Sequence, residues 1–138
     1  MINSRKLEDL NPKVEKLCRE FIAQCRAAGI DVIITSTWRD AESQNALYAQ
    51  GRTKPGNKVT NAKAWQSYHN YRCAFDFVPV VHGKADWNNT TRFTECGEIA
   101  EKVGLEWAGR WKKFPELAHC QYTNGLTLAE LKDGGKIT

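Results

Sequence analysis

The sequence predicts an α+β fold, a single compact domain in which helices pack against a small antiparallel sheet. Three observations predict this class. Apolar residues recur at helical spacing near the start of the chain, β-branched runs alternate with helical segments after it, and the later turns are short. The 138 residues suffice for one core and contain no internal repeat or low-complexity tract. We therefore expect residues 1–138 to form one domain.

The first predicted element is a helix. Asn11 is a typical N-cap, and Pro12 is favoured at the first helical position. The apolar residues that follow are Val14, Leu17, Cys18, Phe21, Ile22 and Cys25. Their spacing of 3, 1, 3, 1 and 3 places them on one face of an amphipathic helix that ends at Gly29.

A strand, a second helix and a long loop follow. Asp31–Ser36 (DVIITS) is rich in β-branched residues, which favour strands. Asp40 can cap a helix over residues 41–50 (AESQNALYAQ), which Gly51 closes. Residues 52–66 are polar and contain proline and glycine, so they predict a loop that is long enough to indicate a functional role.

The second half of the chain contains shorter elements. In order, we expect a strand at Cys73–Val81, a turn at His82-Gly83-Lys84, a helix at Thr91–Val103, a short strand at Leu105–Trp107, another within Pro115–Tyr122, and a small helix at Thr127–Leu131. Short turns between strands are typical of antiparallel pairing, and they account for the predicted type of sheet.

Charge and hydropathy narrow the partners only slightly. The net charge of +4 and the isoelectric point near 8.8 fit nucleic acid, an acidic polymer or a bacterial wall, but the cations are scattered and form no cluster. No apolar run approaches the roughly 18 residues of a transmembrane helix, which predicts no membrane insertion. The N-terminus lacks the apolar core of a signal peptide, so we expect accumulation in the cytoplasm of the cell that makes the protein.

The five cysteines are an odd number and include no C-x-x-C pair. This pattern predicts small buried hydrophobic residues that stay reduced, and it disfavours a disulfide framework. Cys120 adjoins His119 and is an alternative metal ligand. Strand geometry argues against that role, because neighbouring strand residues point to opposite faces.

Histidines and carboxylates form the candidate chemical group. His69 precedes Asp76 by seven positions, and Glu116 precedes His119 by three. Asp76 lies between two phenylalanines, where a carboxylate needs a positive partner. A catalytic zinc takes three protein ligands, which His69, Asp76 and His119 can supply, and Glu116 then stays free as a general base. The spacing alone also allows surface or hydrogen-bonded core residues, and His82 is expected to be a loop histidine.

Three ordered motifs extend this pattern. Their residues are Ser36, Arg39, Gln44, Leu47, Tyr48 and Gly51-Arg52-Thr53, then Ser67, His69, Ala74 and Asp76, and finally Trp111, Phe114, Glu116, His119 and Gln121. Together they cover roughly residues 33–122. The chain resembles the VanY-like D,D-carboxypeptidase and L-alanyl-D-glutamate endopeptidase family of zinc peptidases, many of whose members are phage endolysins.

The resemblance implies a role for each central residue. It implies that His69, Asp76 and His119 bind Zn²⁺ and that Glu116 is the base. It also implies that Arg39 steadies the substrate carbonyl or the oxyanion, as a fixed guanidinium does for developing negative charge.

More than one role is open for several other residues of the motifs. Gln44 and Ser67 are expected to bind substrate, although local backbone capping is an equally good role for Ser67. For Arg39 the alternative is a surface salt bridge with Asp40 or Glu42. In the matching motif Arg72 replaces a glycine, which demands a different backbone geometry if the position needs a positive φ. Gln66 also replaces a glycine of the related motif, and these two replacements leave the substrate preference open.

The predicted activity is zinc-dependent hydrolysis of an amide in the stem peptide of peptidoglycan, with an L-alanyl-D-glutamate endopeptidase as the first choice. We expect a phage endolysin that is monomeric and has no wall-binding domain. A holin would give this enzyme access to the cell wall in the periplasm. The alternatives are a D,D-carboxypeptidase or dipeptidase acting on D-Ala-D-Ala termini, a non-catalytic zinc-stabilised binding module and a nucleic-acid-binding protein. Glu116 argues against the module, and the absence of a basic cluster argues against nucleic acid.

The loop at residues 52–66 is expected to border the substrate cleft. Its cations are Arg52, Lys54, Lys58 and Lys63. They suit an anionic stem peptide whose D-glutamate exposes a carboxylate, and the alternative is that they are solvated loop charges.

Overall fold

Five antiparallel strands form one sheet in the computed structural model, which describes residues 1–138. The strands are β1 (Asp31–Ser36), β2 (Ala74–Val81), β3 (Lys84–Ala85), β4 (Glu106–Trp107) and β5 (His119–Gln121). The α-helices are α1 (Pro12–Ala27), α2 (Ala41–Ala49), α3 (Thr90–Val103) and α4 (Leu128–Lys132), and turns of 3₁₀-helix lie at Leu7–Asp9, Tyr68–Tyr71 and Ala108–Arg110. The order across the sheet is β1-β2-β5-β4, with β3 paired to β2, which confirms the predicted α+β fold.

Helix α1 packs its apolar face on the sheet. The Asn11 side chain accepts a hydrogen bond of 2.9 Å from the first turn, which confirms the predicted cap. The buried residues of the helix are Val14, Leu17, Cys18, Phe21 and Cys25. The ring of Phe21 lies 5.0 Å from that of Phe77 and 5.6 Å from that of Phe75, both on β2. Helix and sheet therefore share one aromatic core.

The alternation along β2 separates the core from the candidate site. Phe75 and Phe77 are fully buried, whereas the side chain of Asp76 between them is 27% exposed. Successive strand residues point to opposite faces, so Asp76 faces away from the aromatic core.

Strand pairing brings two other segments against Asp76. Its Cα partners are Ser36 at the end of β1 and His119 at the start of β5. The register of β1 shifts between Ile34 and Ser36, an irregularity typical of strands beside functional sites. The sheet therefore places three polar side chains from three strands beside one another.

Trp107 fixes the segment that leads into β5. Its indole lies against Gly97 and Gly109, where an added Cβ would come within 2.1 and 2.2 Å of the ring. The indole Nε1 donates a hydrogen bond of 2.9 Å to the backbone carbonyl of Leu117. The two glycines therefore allow the close packing that holds the chain two residues before His119.

The structure adds four short elements to those predicted from the sequence. His82 and Gly83 both have positive φ, 53° and 77°, and they form the two-residue turn that joins β2 to β3. The turn is confirmed, but strand β3 was missed, as were the three turns of 3₁₀-helix. All four elements are too short for periodicity to reveal.

The structure confirms the predicted state of the cysteines. All five cysteines are free and buried, and burial is the main cause that raises the pKa of the Cys120 thiol. Cys120 has no exposed surface and lies in the apolar core, which excludes it from the candidate site.

None of the helices combines the length and the apolar character needed to cross a membrane.

Candidate metal centre

Three predicted ligands converge in the structure. His69, Asp76 and His119 each offer one ligand atom, and these atoms lie within 4.8 Å of one another. Nε2 of His69 and Nδ1 of His119 are each 3.2 Å from Oδ1 of Asp76. Two imidazoles and one carboxylate at this separation form the donor set of a catalytic zinc site.

His69 is held by the 3₁₀-helix that begins after Ser67. The Ser67 hydroxyl accepts a hydrogen bond of 3.2 Å from the backbone N–H of His69, and Asn70 completes a capping box. Nδ1 of His69 lies 2.8 Å from the carbonyl of Thr37, an acceptor only. Nδ1 therefore carries the proton, and the lone pair of Nε2 faces Asp76.

Gln121 orients His119 through the ring nitrogen that does not face Asp76. Its Nε2 lies 2.8 Å from Oε1 of Gln121, and both residues are buried. Since this oxygen accepts, Nε2 carries the proton and Nδ1 presents a lone pair. Neutral His69 and His119 would thus both direct lone pairs at a carboxylate oxygen, an arrangement that requires a cation at the centre. The residues therefore fit a zinc ion.

Charge interactions within the cluster are strong. Burial alone would raise the pKa of Asp76, but the charges and hydrogen bonds of His69 and His119 hold it well below its usual range. Burial opposes the charged form of His119, yet the contact with Asp76 outweighs burial and raises the pKa of His119, so a proton on Nδ1 is the alternative to a metal cation between these two residues. Asp76 is therefore an anion that attracts positive charge to this point.

Arg39 lies beside the cluster and is only 11% exposed. Its Nη1 donates to Oε1 of Gln44 at 2.9 Å, its Nη2 donates to the Ser36 hydroxyl at 3.2 Å, and its Nη2 lies 4.0 Å from Oδ2 of Asp76. Burial lowers the pKa of Arg39. Its buried Nε–H has no protein acceptor, so one donor is left over. The alternative of a surface salt bridge with Asp40 or Glu42 is wrong, because Arg39 is buried beside Asp76, and the other two carboxylates pair with the N-terminal ammonium.

The two residues predicted to bind substrate occupy different positions. Ser67 lines the cleft over the metal cluster and also caps the 3₁₀-helix through its hydroxyl. Gln44 is fully buried, and its Nε2 donates a hydrogen bond of 2.7 Å to the carbonyl of Ala62 while its oxygen accepts from Arg39. Substrate binding by either residue stays a prediction, and the contacts of Gln44 orient the guanidinium.

Glu116 lies at the edge of the cluster. Its Oε2 is 3.8 Å from Nδ1 of His119, and its side chain is 50% exposed. Its backbone N–H donates to the carbonyl of Ala108 at 3.1 Å, which fixes the main chain at this position. A carboxylate that is near the metal ligands and open to solvent is placed to exchange protons with a bound water.

An open cleft of about 930 Å³ lies over these residues. The loop after α2 contributes Val59–Ala62 to its lining, which confirms that this loop borders the cleft. The segment before β5 contributes Trp111, Lys113 and Phe114. Phe114 is 74% exposed and has a φ of 50°, so an aromatic side chain projects from a strained backbone at the cleft.

The four loop cations do not line the cleft, which corrects the expectation from the sequence. Arg52 instead holds the loop together: its Nη1 donates to the carbonyls of Tyr48 at 2.7 Å and Thr60 at 3.0 Å, and its guanidinium stacks 3.9 Å from the Tyr48 ring. Lys63 also lies over that ring. The lysine that lines the cleft is Lys113.

Several positioning residues escaped the sequence analysis. The Asn70 amide donates to the carbonyl of Arg39 at 2.8 Å, and its oxygen accepts from the backbone of Trp65 at 2.9 Å. The spacing from Ser67 to Asn70 is that of a capping box and could have indicated this role. Gln121 was part of a motif but had no predicted function, since its partner depends on strand register.

The comparisons with known proteins agree with this geometry. The sequence profile of the D-alanyl-D-alanine carboxypeptidase family matches residues 60–122. The peptidoglycan L-alanyl-D-glutamate endopeptidase CwlK of Bacillus subtilis (strain 168) is 39% identical over 122 residues, which cover 82% of this chain and 73% of CwlK.

Two solved structures share the fold. The L-Ala D-Glu endopeptidase ChiX of Serratia marcescens superposes with a TM-score of 0.69 at 18% identity, covering 88% of this chain and 89% of ChiX. The vancomycin resistance D,D-pentapeptidase VanY, crystallised as a mutant in complex with Zn(II), has a TM-score of 0.62 at 14% identity over 82% of this chain and 72% of its own.

Proposed function

The chain belongs to the family of zinc peptidoglycan peptidases that contains the D-alanyl-D-alanine carboxypeptidases and the L-alanyl-D-glutamate endopeptidases, and from this premise we propose that it cuts the L-alanyl–D-glutamate bond of the stem peptide. The observation that carries the choice of bond is the 39% identity to CwlK, an enzyme named for that bond.

We propose that His69, Asp76 and His119 hold the zinc ion. Zinc in such a site acidifies a water molecule and polarises the substrate carbonyl. The support is the convergence of the three donor atoms within 4.8 Å and the tautomers that their partners impose.

Glu116 then serves as the general base and acid. Its carboxylate takes a proton from the attacking water and returns it to the amine of the departing D-glutamate. Its position 3.8 Å from a ligand nitrogen, with half of the side chain exposed, supports this role.

Arg39 stabilises the negative charge that develops on the carbonyl oxygen. Ser36 and Gln44 hold two of its nitrogens, so the guanidinium is already oriented before substrate arrives.

Lys113 supplies the positive charge that recognises the substrate. The D-glutamate of the stem peptide exposes a carboxylate, and Lys113 is the lysine among the residues that line the cleft. A charge-assisted hydrogen bond between these groups would favour D-glutamate on the amine side of the scissile bond.

The biological setting that we propose is host lysis by a phage. In this setting the enzyme acts as a monomeric endolysin that reaches the wall in the periplasm through a holin, with the stem peptide as its partner and no nucleic acid. The family resemblance supports this proposal. Expression of the chain with and without a holin, followed by culture turbidity, tests it, and lysis without the holin would contradict it.

Mass spectrometry of the peptides released from purified cell wall tests the bond that is cut. We expect new amino-terminal D-glutamate, with L-alanine left on the glycan. Release of free D-alanine without new D-glutamate amino termini would contradict the endopeptidase assignment and favour the D,D-carboxypeptidase alternative, which the matching family profile also supports. An inert protein that binds zinc would favour the non-catalytic module.

A further inference from the structure

We propose that Gln121 and Glu106 are positioning residues for the metal centre: together they determine which ring nitrogen of His119 is free to bind the metal. The inference deepens the proposed function, since it rests on His119 as a zinc ligand. Neither residue lines the cleft, and their side chains are hydrogen-bonded to each other and to His119 only, so their effect is transmitted through the imidazole of His119.

Strand register places the three side chains in one row. Gln121 is two residues after His119 on β5, so both side chains lie on the same face of the sheet. Glu106 of β4 is the direct Cα partner of Gln121. Cross-strand partners of this kind have side chains in contact distance.

The contacts along the row are short. Nε2 of Gln121 donates to Oε2 of Glu106 at 2.8 Å, and Oε1 of Gln121 lies 2.8 Å from Nε2 of His119. His119 and Gln121 are buried, at 6% and 3% exposure, so water does not compete for the contact between them. The three side chains therefore form a continuous series of hydrogen bonds from the surface carboxylate of Glu106 to the buried imidazole of His119.

Glu106 determines the orientation of the Gln121 amide. An amide side chain can present either its oxygen or its nitrogen, and only its partners decide between them. An ionised carboxylate accepts hydrogen bonds and cannot donate, so Glu106 requires the NH₂ group of Gln121 on its side. The oxygen of Gln121 is thereby turned toward His119.

The direction of the amide decides the tautomer of His119. Facing an acceptor, Nε2 of His119 must carry the proton, and Nδ1 keeps its lone pair toward the cluster. His69 has the opposite tautomer, with the proton on Nδ1 and a free Nε2, and it is fixed by the main-chain carbonyl of Thr37, which no side-chain substitution removes. The orientation of His119 depends on side chains, and it is the one that mutation can test.

The test compares loss of the acceptor with exchange of the two partners. Gln121→Met keeps the size of the side chain and removes the acceptor. The double variant Gln121→Glu/Glu106→Gln exchanges carboxylate and amide, so an acceptor again faces His119 and the net charge is unchanged. Glu98→Gln, on the surface of α3, replaces a carboxylate by an amide outside the row and is the control for the Glu106→Gln part of the double variant.

Two readouts separate positioning from structural support. Zinc affinity is measured by competition with a chromophoric chelator, and the protonated ring nitrogen of His119 is identified by ¹⁵N NMR of the zinc-loaded and zinc-free proteins. We expect Gln121→Met to weaken zinc binding about 10- to 100-fold and to give mixed tautomers in the zinc-free protein. The double variant should return both readouts to within a few-fold of wild type, and the control should leave them unchanged.

Wild-type zinc affinity together with a wild-type tautomer in Gln121→Met would overturn the inference. So would a double variant that folds but binds zinc as weakly as Gln121→Met. These outcomes differ from failure of the proposed function, in which the wild-type protein binds zinc but releases no D-glutamate amino termini from cell wall. If Gln121→Met does not fold, the double variant still decides the question.

Discussion

The two halves of the metal centre are built in different ways. Asp76 and His119 lie directly opposite each other on the paired strands β2 and β5, so backbone hydrogen bonds set their separation. Arg39, His69 and Glu116 lie outside the strands, and individual hydrogen bonds from side chains and carbonyls fix each of them. The sheet therefore places two of the three proposed zinc donors on a rigid base, while the loops supply the third donor and the two groups that we propose act on water and substrate.

This difference predicts how each half responds to substitution. Changes in the sheet half should remove the ion, because its two donors share one register and no neighbouring group can replace them. Changes at Arg39 or Glu116 in the loop half should leave the ion in place and alter rate or specificity, whereas loss of His69, the third donor, should weaken zinc binding as changes in the sheet half do. The predictions below test that division, from the largest expected effect to the smallest.

The first prediction concerns His119→Ala in the sheet half. The substitution removes one of three zinc donors and leaves the carboxylate of Asp76 with a single imidazole partner. We expect the loss of one zinc per chain and a fall in activity on the order of a thousandfold or more. Metal analysis of the purified variant by mass spectrometry checks this. An active variant with one zinc per chain would refute the proposed ligand set.

The second prediction concerns Glu116→Ala in the loop half. The three donors are untouched, so zinc should stay bound, while kcat falls on the order of a hundredfold or more because the proton carrier is missing. Zinc content and turnover of a stem peptide are measured on the same preparation. Unchanged turnover would assign the base to another residue, and loss of zinc would contradict the division between the two halves.

The sequence predicted the sheet half better than the loop half, for physical reasons. The length and β-branched character of β1 predicted its bounds, and the two phenylalanines beside Asp76 indicated a carboxylate that needs a positive partner. The resemblance to a known family supplied the ligand set. The partners of Arg39 and His119 could not be predicted, because Gln44 and Gln121 reach them only once helix position and strand register are fixed. Strand register also decides that Glu106 faces Gln121.

The third prediction tests substrate recognition by Lys113. Lys113→Ala should raise KM about two- to fivefold with kcat unchanged, as expected for loss of a partly exposed ion pair. A stem peptide with the D-glutamate carboxylate amidated should show no difference between variant and wild type. Lys54→Ala, in the loop that lines the cleft through other residues, is the matched control. An equal effect of both substitutions would mean that only the general positive charge matters.

The smallest effect is expected at Arg72, which ends the 3₁₀-helix that carries His69. Arg72 has a φ of 61° and a ψ of 26°, the left-handed conformation that costs a residue with a Cβ roughly 1 kcal/mol. Its guanidinium lies 4.0 Å from the Trp38 ring, and Nη1 donates to the carbonyl of Asp9 at 3.1 Å. These contacts offset the backbone strain at a position where the related motif has glycine.

Two substitutions at Arg72 separate the strain from the contacts. Arg72→Ala loses the contacts and keeps the strain, whereas Arg72→Gly loses both, so the glycine variant should be more stable than the alanine variant by roughly 1 kcal/mol. Chemical denaturation measures this difference, and both variants should keep activity within about twofold, because Arg72 does not line the cleft. Equal stability of the two variants would mean that the backbone relaxes at this position. The position of His69 would then depend on the Ser67 cap and the contact with Thr37, and Ser67→Ala would become the more damaging change.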